Sequence, residues 1–457
     1  MFDLTSRPLR LDAYSGRPFS LLDGEAQQDL ATITAINLIE NGDKIARQNW
    51  QNKQITNLLR HAHARSKFWR ARMPSRLINH SILRQLPVLS REDIRQQVSL
   101  EGSLVATKAN APIETYASTG STGTPVKVFV CHENGSYNSL RSLCQYFIYN
   151  LTLDENQINI APPSSLAKVK STSTIIQKSD HWAGTLGNVF RNGSYKSIVY
   201  SHDNQALFDA IKTEKVGYLV SPSRYVELLI ENFGLDAVKA LGIKLWIHVS
   251  DYRSPETLSK MDEMGIKSLS IYSAGETGPI AYECAKHSGY FHVAHTNVVV
   301  ETDNPSATSF DEVSVGRLLI THLSSFATPL IRYDIGDFGH LEERCPCGHN
   351  GTTISHILGR GKHFLRHPDG RLLPFYVSTR TLLEVVQFKE CRVRQKEIDT
   401  ITVEIGGRDS ISPSEENKLR ELITKLTDPV FTIVIKAVDR IDWTESPKRL
   451  FFSSSVA

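Results

Sequence analysis

Between residues 46 and 72, apolar positions recur at the three- and four-residue spacing of a helix. Ile55, Leu58, Leu59 and Ala62 fall on one stripe, and basic residues occupy the other faces. One amphipathic helix with a solvated basic face is expected there. Leu86-Pro87-Val88-Leu89 runs into Ser90-Arg91-Glu92-Asp93, which predicts a strand end entering an N-capped helix. From there to about residue 280, short apolar runs alternate with helical patterns. Gly217-Tyr218-Leu219-Val220 precedes a helical pattern over 223–233, and Leu245-Trp246-Ile247-His248-Val249 precedes another over 255–264. Such alternation predicts an α/β fold on a mostly parallel sheet.

Residues 290–357 read differently, as short β-rich segments such as Asn297-Val298-Val299-Val300-Glu301 and Gly316-Arg317-Leu318-Leu319-Ile320, and a β subdomain is expected. After Gly359-Arg360-Gly361-Lys362 the pattern changes again. An alternating strand over 401–405, a helix over 414–426 and a second strand over 431–435 predict a small α+β domain. The expected division is therefore 1–358 and 359–457, with a hinge near residue 360.

Composition narrows the function classes. At 457 residues the chain can bury large cores in more than one domain. Its 52 basic and 49 acidic residues leave a net charge of +3, which favours neither a nucleic-acid nor a membrane partner. Apolar runs are short and interrupted by charge, so no transmembrane span is expected, and the first residues lack the apolar core of a secretory signal. Six cysteines are too few for a disulfide scaffold, and a reducing cytoplasm is the expected setting.

The strongest chemical signal is Tyr116-Ala117-Ser118-Thr119-Gly120-Ser121-Thr122-Gly123-Thr124-Pro125-Val126-Lys127. Glycines admit a phosphate close to the backbone, while hydroxyls and N–H groups donate to its oxygens. No Lys follows Gly123, so this is not the phosphate loop of kinase-like nucleotide binders. The run resembles the Ser/Thr-Ser/Thr-Gly-Ser/Thr-Thr-Gly-x-Pro loop of the adenylate-forming enzymes. Ile271-Tyr272-Ser273-Ala274-Gly275-Glu276-Thr277-Gly278 resembles that family's Tyr-Gly-x-Thr-Glu segment. Pro329-Leu330-Ile331-Arg332-Tyr333-Asp334-Ile335-Gly336-Asp337 resembles the Pro-Leu-Ile-Arg-Tyr-x-Thr-Gly-Asp run of its phenylacetate–coenzyme A ligase branch. Leu358-Gly359-Arg360-Gly361-Lys362 resembles the hinge, and Ile441-Asp442-Trp443-Thr444-Glu445-Ser446-Pro447-Lys448-Arg449 resembles the segment carrying the catalytic lysine.

The resemblance spans nearly the whole chain and implies the adenylate-forming fold, with a large ATP- and acid-binding domain and a mobile carboxy-terminal one. It implies that Ser118, Thr119, Gly120, Ser121, Thr122 and Gly123 cradle the phosphates of ATP. Tyr272 stacks on adenine, Glu276 holds Mg²⁺, Asp337 accepts both ribose hydroxyls and Arg360 reaches the nucleotide. Ser250, Asp251, Ser273 and Thr277 fall beside it, and Lys448 acts at the α-phosphate. Four departures stand out: Gly275 for a hydroxyl residue, Val249-Ser250-Asp251-Tyr252 for the family's Gly-Ala/Gly-Glu segment, Lys362 for Asp and Pro447 for glycine. The family's acyl site maps onto Trp182, Gly184, Tyr225 and Ala274, a set compatible with an aromatic or small acid.

A C-x-C pair, Cys345 and Cys347, with a third cysteine at Cys284 and histidines nearby, can complete a tetrahedral zinc site. Some members of the branch carry Glu-Cys, Gly-x-His and Cys-x-Cys-Gly. Here the fourth ligand is His292, with His287 as competitor, and the site is expected to be structural. Cys131, Cys144 and Cys391 are expected to be packed thiols.

The leading expectation is activation of a carboxylic acid to an acyl-adenylate and transfer to the thiol of coenzyme A. A carrier-protein thiol or an amine is the alternative acceptor. A non-catalytic binding protein on the same fold is the alternative of another class, motivated by the departures. The resemblance is compatible with a homodimer.

Overall fold

The computed structural model describes residues 24–74, 78–99, 102–106, 113–117, 126–161, 175–188, 192–200, 203–249, 255–310, 313–360, 364–375, 382–442 and 452–456. Ser118–Gly123, Ser250, Asp251, Lys362 and Lys448 lie outside the described residues.

Helices α1 (Gly24–Glu40), α2 (Lys44–Arg65) and α3 (Lys67–Arg72) come first. The single helix expected over 46–72 is two. Ser66 breaks it, because its backbone is extended and its hydroxyl accepts from the Trp69 N–H and donates to the Ser103 carbonyl. Helix α4 (Arg91–Gln97) starts as expected, with Ser90 and Asp93 forming a reciprocal capping box.

A hairpin, β1 (Ile113–Ala117) and β2 (Lys127–Cys131), leads into α5 (His132–Ile148). Then follow β3 (Asn156–Ala161), β4 (Ile175–Ser179), β5 (Tyr195–Val199), α6 (Asn204–Thr213), β6 (Val216–Ser221), α7 (Arg224–Phe233), α8 (Leu235–Lys239), β7 (Leu245–Val249), α9 (Pro255–Met264) and β8 (Lys267–Ala274). Strands β5, β3, β6, β7 and β8 are parallel neighbours, as the alternation predicts. Adjacent strand residues face opposite ways. Tyr218, Leu245 and Ile247 accordingly pack with α1 and α5, whereas Leu219 and Trp246 pack with α6, α7, α8 and α9.

The β-rich stretch contains β9 (Gly278–Glu283), β10 (Phe291–Val293), β11 (Val298–Phe310), β12 (Val313–His322), β13 (Tyr333–Glu342) and β14 (Thr353–Arg360). These strands extend the same sheet. The chain reverses after β8, β9 pairs antiparallel to it, and β10 bridges β9 to β14. The order is β11-β12-β13-β14-β10-β9-β8-β7-β6-β3-β5-β4.

Beyond it, the β15 (Phe364–Arg366) and β16 (Leu372–Pro374) hairpin precedes β17 (Glu390–Glu397), β18 (Thr400–Gly406), α10 (Pro413–Leu426), β19 (Thr432–Val438) and β20 (Phe452–Ser454). The last four strands form their own sheet, ordered β19-β18-β17-β20, over a core of Val393, Ile401, Val403, Ile405, Leu419 and Ile423. Among the described residues, no helix is long and apolar enough to cross a membrane.

A buried polar knot ties the amino-terminal helices to the sheet. The Glu40 carboxylate accepts from the N–H groups of His295 and Thr296 at 2.9 and 2.8 Å and from the Thr296 hydroxyl at 2.6 Å. Arg141 donates to the Thr296 carbonyl at 3.0 Å, and Arg47 donates to the carbonyls of Glu40 and Asn350. Burial pushes the Glu40 carboxyl up, but the bonds and charge of His295 and the bonds of Thr296 outweigh it and hold it below its ordinary 4.5. A carboxyl held low stabilises the fold above that ordinary value and loses the contribution as pH falls through its own lower one. Glu40→Ala is therefore expected to cost about 2 kcal/mol near neutral pH, because three donors lose their acceptor. The difference from wild type should shrink in acid, as read by denaturant unfolding at several pH values.

Candidate functional site

The site forms where β8 turns into β9, against β13. Ala274-Gly275-Glu276-Thr277 makes a tight turn, with the Thr277 N–H donating to the Ala274 carbonyl at 3.2 Å. Gly278 ends it at a φ of 68°, where a side chain would collide with Asn138 of α5, so only glycine fits. The fully buried Asn297 clamps the turn, its amide donating to the carbonyls of Thr277 and Pro279 at 2.9 and 2.7 Å.

Strand β13 starts from an over-determined residue. Arg332 sits at a φ of 48°, held by its N–H on the Thr321 hydroxyl, by its guanidinium on Glu301 and by a bond to the Leu86 carbonyl. The Leu86–Leu89 segment lies along this strand. Leu89 donates to the Arg332 carbonyl at 3.1 Å and accepts from the Asp334 N–H at 2.9 Å. Gly336, at a φ of 86°, donates to the Asp334 carboxylate, and this kink precedes Asp337.

Three predicted side chains lie here, at the end of β8, in the turn and on β13. The Tyr272 hydroxyl donates to Asp337 Oδ2 at 2.8 Å, and Asp337 stands opposite Arg360 in the β13–β14 ladder. Glu276, only 3% exposed, accepts from the Tyr333 hydroxyl at 2.8 Å and lies 3.8 Å from Arg91 Nη1. Arg91 also donates to the Ile335 carbonyl at 3.2 Å. Ser273 precedes this turn on β8 and Thr277 closes it. The β1–β2 hairpin brings Ala117 opposite Lys127, so the two ends of the Ser/Thr/Gly run are paired, and Phe129 donates to the Thr328 hydroxyl beside β13.

The sequence alone gives no role to Arg91, Tyr333, Asn138 or Asn297. Arg91 and Tyr333 fall within the Ser90–Asp93 and Pro329–Asp337 segments, but their partner Glu276 is distant in sequence. Nothing in the sequence singles out Asn138 or Asn297.

The residues expected around the acid are not brought together. Tyr225 is fully buried among the helices on one face of the sheet, its ring 4.8 Å from Tyr200. Trp182 packs on the other face, its ring 4.7 Å from Tyr146, with its indole N–H on the Glu155 carbonyl. Gly184, at a φ of 58°, is in a 3-10 turn near Trp182, and Ala274 packs with the core under β13. Strand alternation separates Trp182 from Tyr225, and a motif spacing does not carry that information.

The metal candidate is compact. One donor atom each from Cys284, His292, Cys345 and Cys347 lies within 4.8 Å of the others, and among the described residues His287 is not in the group. Cys347 Sγ and His292 Nε2 are 3.5 Å apart. Ordinary zinc–sulfur and zinc–nitrogen bonds put two ligands of a tetrahedron about 3.6 Å apart, so the donor set fits zinc. The N–H groups of Lys286 and His349 each point at a sulfur, Cys284 and Cys347, at 3.4 Å. Burial pushes His292 down to about 4, leaving the imidazole neutral as a ligand must be, and pushes the Cys345 thiol up to about 12. A buried thiol held that high ionises only against a cation. The His349 ring stacks on His292 at 4.1 Å, next to the Glu40 knot. Cys144 and Cys391 are buried thiols, Cys131 is half-buried, and no disulfide joins any of the six cysteines.

No family model matches the chain. A phenylacetate–coenzyme A ligase of Thermus thermophilus is 35% identical over 144 residues, which is 30% of this chain and 32% of that protein. The match thus spans about a third of the relative's length. A 2-hydroxyisobutyryl-CoA ligase, solved in the postadenylation state with 2-HIB-AMP, superposes with a TM-score of 0.67 at 14% identity, covering 92% of this chain and 91% of that one. An ATP-bound RpMatB-BxBclM chimera superposes with a TM-score of 0.50 at 16% identity, over 75% and 67% of the two chains. Over 144 residues the chain is thus similar in sequence to a phenylacetate–coenzyme A ligase, and it shares the fold of a 2-hydroxyisobutyryl-CoA ligase.

Proposed function

We propose that the protein activates a carboxylic acid with ATP and passes the acyl group to the thiol of coenzyme A. The observation that carries this reading is the meeting of Tyr272, Glu276 and Asp337 at one turn, in a fold shared with an acyl-AMP-bound CoA ligase. A carboxylate oxygen of the acid attacks the α-phosphorus, the bond to the bridging oxygen breaks, and pyrophosphate leaves. The thiol sulfur then attacks the acyl carbon and AMP leaves.

In this reading Asp337 holds the ribose, the Tyr272 ring faces adenine, and Ser118–Gly123 bind the phosphates. Glu276, braced by Tyr333 and Arg91, is the residue that would hold Mg²⁺, whose charge offsets that of the triphosphate. Lys448 brings an ammonium to the α-phosphate during adenylation. Residues 359–457 then rotate about the segment near Lys362, with Arg360 at its edge, and admit coenzyme A. Cys284, His292, Cys345 and Cys347 are the residues that would hold a structural zinc, whose charge would keep the thiols ionised.

The test is pyrophosphate release with ATP and Mg²⁺ across aryl and short aliphatic acids, with and without coenzyme A. Acid-dependent release that is lost in Asp337→Ala, and turnover that requires coenzyme A, are the expected results. Absence of release with every acid, together with absence of ATP binding by calorimetry, would overturn the enzyme reading.

A further inference from the structure

We propose that the hydroxyl of Tyr272 is a specificity-determining group for ribose, acting by holding the Asp337 carboxylate in the orientation that accepts the sugar hydroxyls. The inference deepens the adenylation reading and rests on it. Resemblance gives Tyr272 only a stacking role, which any aromatic ring can fill, and the hydroxyl is superfluous to it. Yet that hydroxyl lies 2.8 Å from Asp337 Oδ2, spanning from β8 to β13 across the site. Both residues are half-buried, and they come from strands 65 residues apart in sequence.

An O–H bond to an ionised carboxylate is short, charge-assisted and directional. The terminal torsion of an aspartate is otherwise broad and weakly restrained. A carboxylate that must accept two vicinal hydroxyls at once needs that torsion fixed beforehand, since a rotation would align one oxygen and misplace the other. The backbone on the Asp337 side is already fixed by the Gly336 kink and by pairing to Arg360. The Tyr272 hydroxyl adds a restraint on the side-chain torsion itself. Tyr272 is thus a positioning residue that acts through Asp337, while its ring serves the base.

Tyr272→Phe separates the two roles, because it keeps the ring and removes only the oxygen. Calorimetry would compare ATP, 2′-deoxy-ATP and 3′-deoxy-ATP on the full chain, for wild type, Tyr272→Phe and Asp337→Asn. For Tyr272→Phe, ATP binding should weaken about tenfold and the deoxy analogues by less than twofold, narrowing the preference for the full ribose about tenfold, the scale of one charge-assisted hydrogen bond. The ratio between nucleotides does not depend on how much of the variant is folded. Equal weakening of all three nucleotides, or none, while Asp337→Asn loses the ribose preference, would overturn the proposal alone. An Asp337→Asn variant that keeps the ribose preference would instead overturn Asp337 as the ribose residue, and the proposal with it.

Discussion

Lys448→Ala is expected to slow acid-dependent pyrophosphate release by about a hundred- to a thousandfold, the cost of removing one preorganised donor at a developing charge. ATP binding should change by no more than a few fold, because the ammonium matters most when charge builds on the departing pyrophosphate. Lys448 lies in 443–451, outside the described residues, but both flanks of that segment are anchored on one strand. The Ile441 N–H donates to Glu390 at 3.2 Å and Arg392 donates to the Asp442 carbonyl, while Phe452, Ser453 and Ser454 pair with Val393, Arg394 and Gln395 of β17. Both flanks of the segment thus belong to the small sheet, the part of the chain proposed to turn between the two half-reactions. The half-reactions can be measured apart: rapid-quench pyrophosphate release without coenzyme A, and thioester formation from a supplied acyl-adenylate. A large loss in the first with little in the second is the expected pattern. An equal loss in both would mark Lys448 as structural, and no loss would return the role to another cation.

The contrast between what the sequence carried and what it did not is physical. The alternation over 217–264 exposes one βα unit after another, since a parallel strand buried on both faces must read as an apolar run, so β6, α7, β7 and α9 are legible. The capping box at Ser90 is legible because its two partners are three residues apart. The merging of β9 to β14 with the parallel strands is not, because the joining pairs link Phe291 with Ile354 and His292 with Thr353, contacts that no local pattern encodes. Strand β20 is hidden for the same reason, being three residues long and defined only by its partner. At the site, Tyr272, Glu276 and Asp337 were legible as motif members, and their grouping follows from the fold. The supports were not. Arg91 reaches Glu276 only because Leu89 is hydrogen-bonded along β13, which ties the amino-terminal Leu86–Leu89 run to the opposite end of the nucleotide motifs. The acyl residues show the converse: Trp182 and Tyr225 look equivalent as aromatic positions but fall on opposite sheet faces.

Replacing Cys345 with Ser is expected to abolish stoichiometric zinc and to destabilise the large sheet by about 4 kcal/mol, the contribution of a ligand present at a thousand times its dissociation constant. Cys345 is buried, and its N–H bonds to the His349 carbonyl while Gly348 bonds back to the Cys345 carbonyl, so the turn carrying both thiols is preformed. A preformed turn lowers the entropy cost of gathering the ligands and favours tight binding. The load falls where it matters structurally. His292 is in β10, the short strand that bridges β9 to β14 through Glu283, Tyr282 and Ala281 on one side and Ile354 and Thr353 on the other. Three residues supply few backbone bonds, so a cation gripping His292, Cys284 and the Cys345–Cys347 turn at once would secure the junction between the two halves of the sheet. Chelation of the wild-type protein should reproduce the loss, and zinc should restore stability to wild type but not to Cys345→Ser. Metal content by elemental analysis and the denaturant midpoint read both effects. Wild-type protein without zinc and with an unfolding curve unchanged by Cys345→Ser would instead identify the four groups as a cluster of packed, unligated side chains.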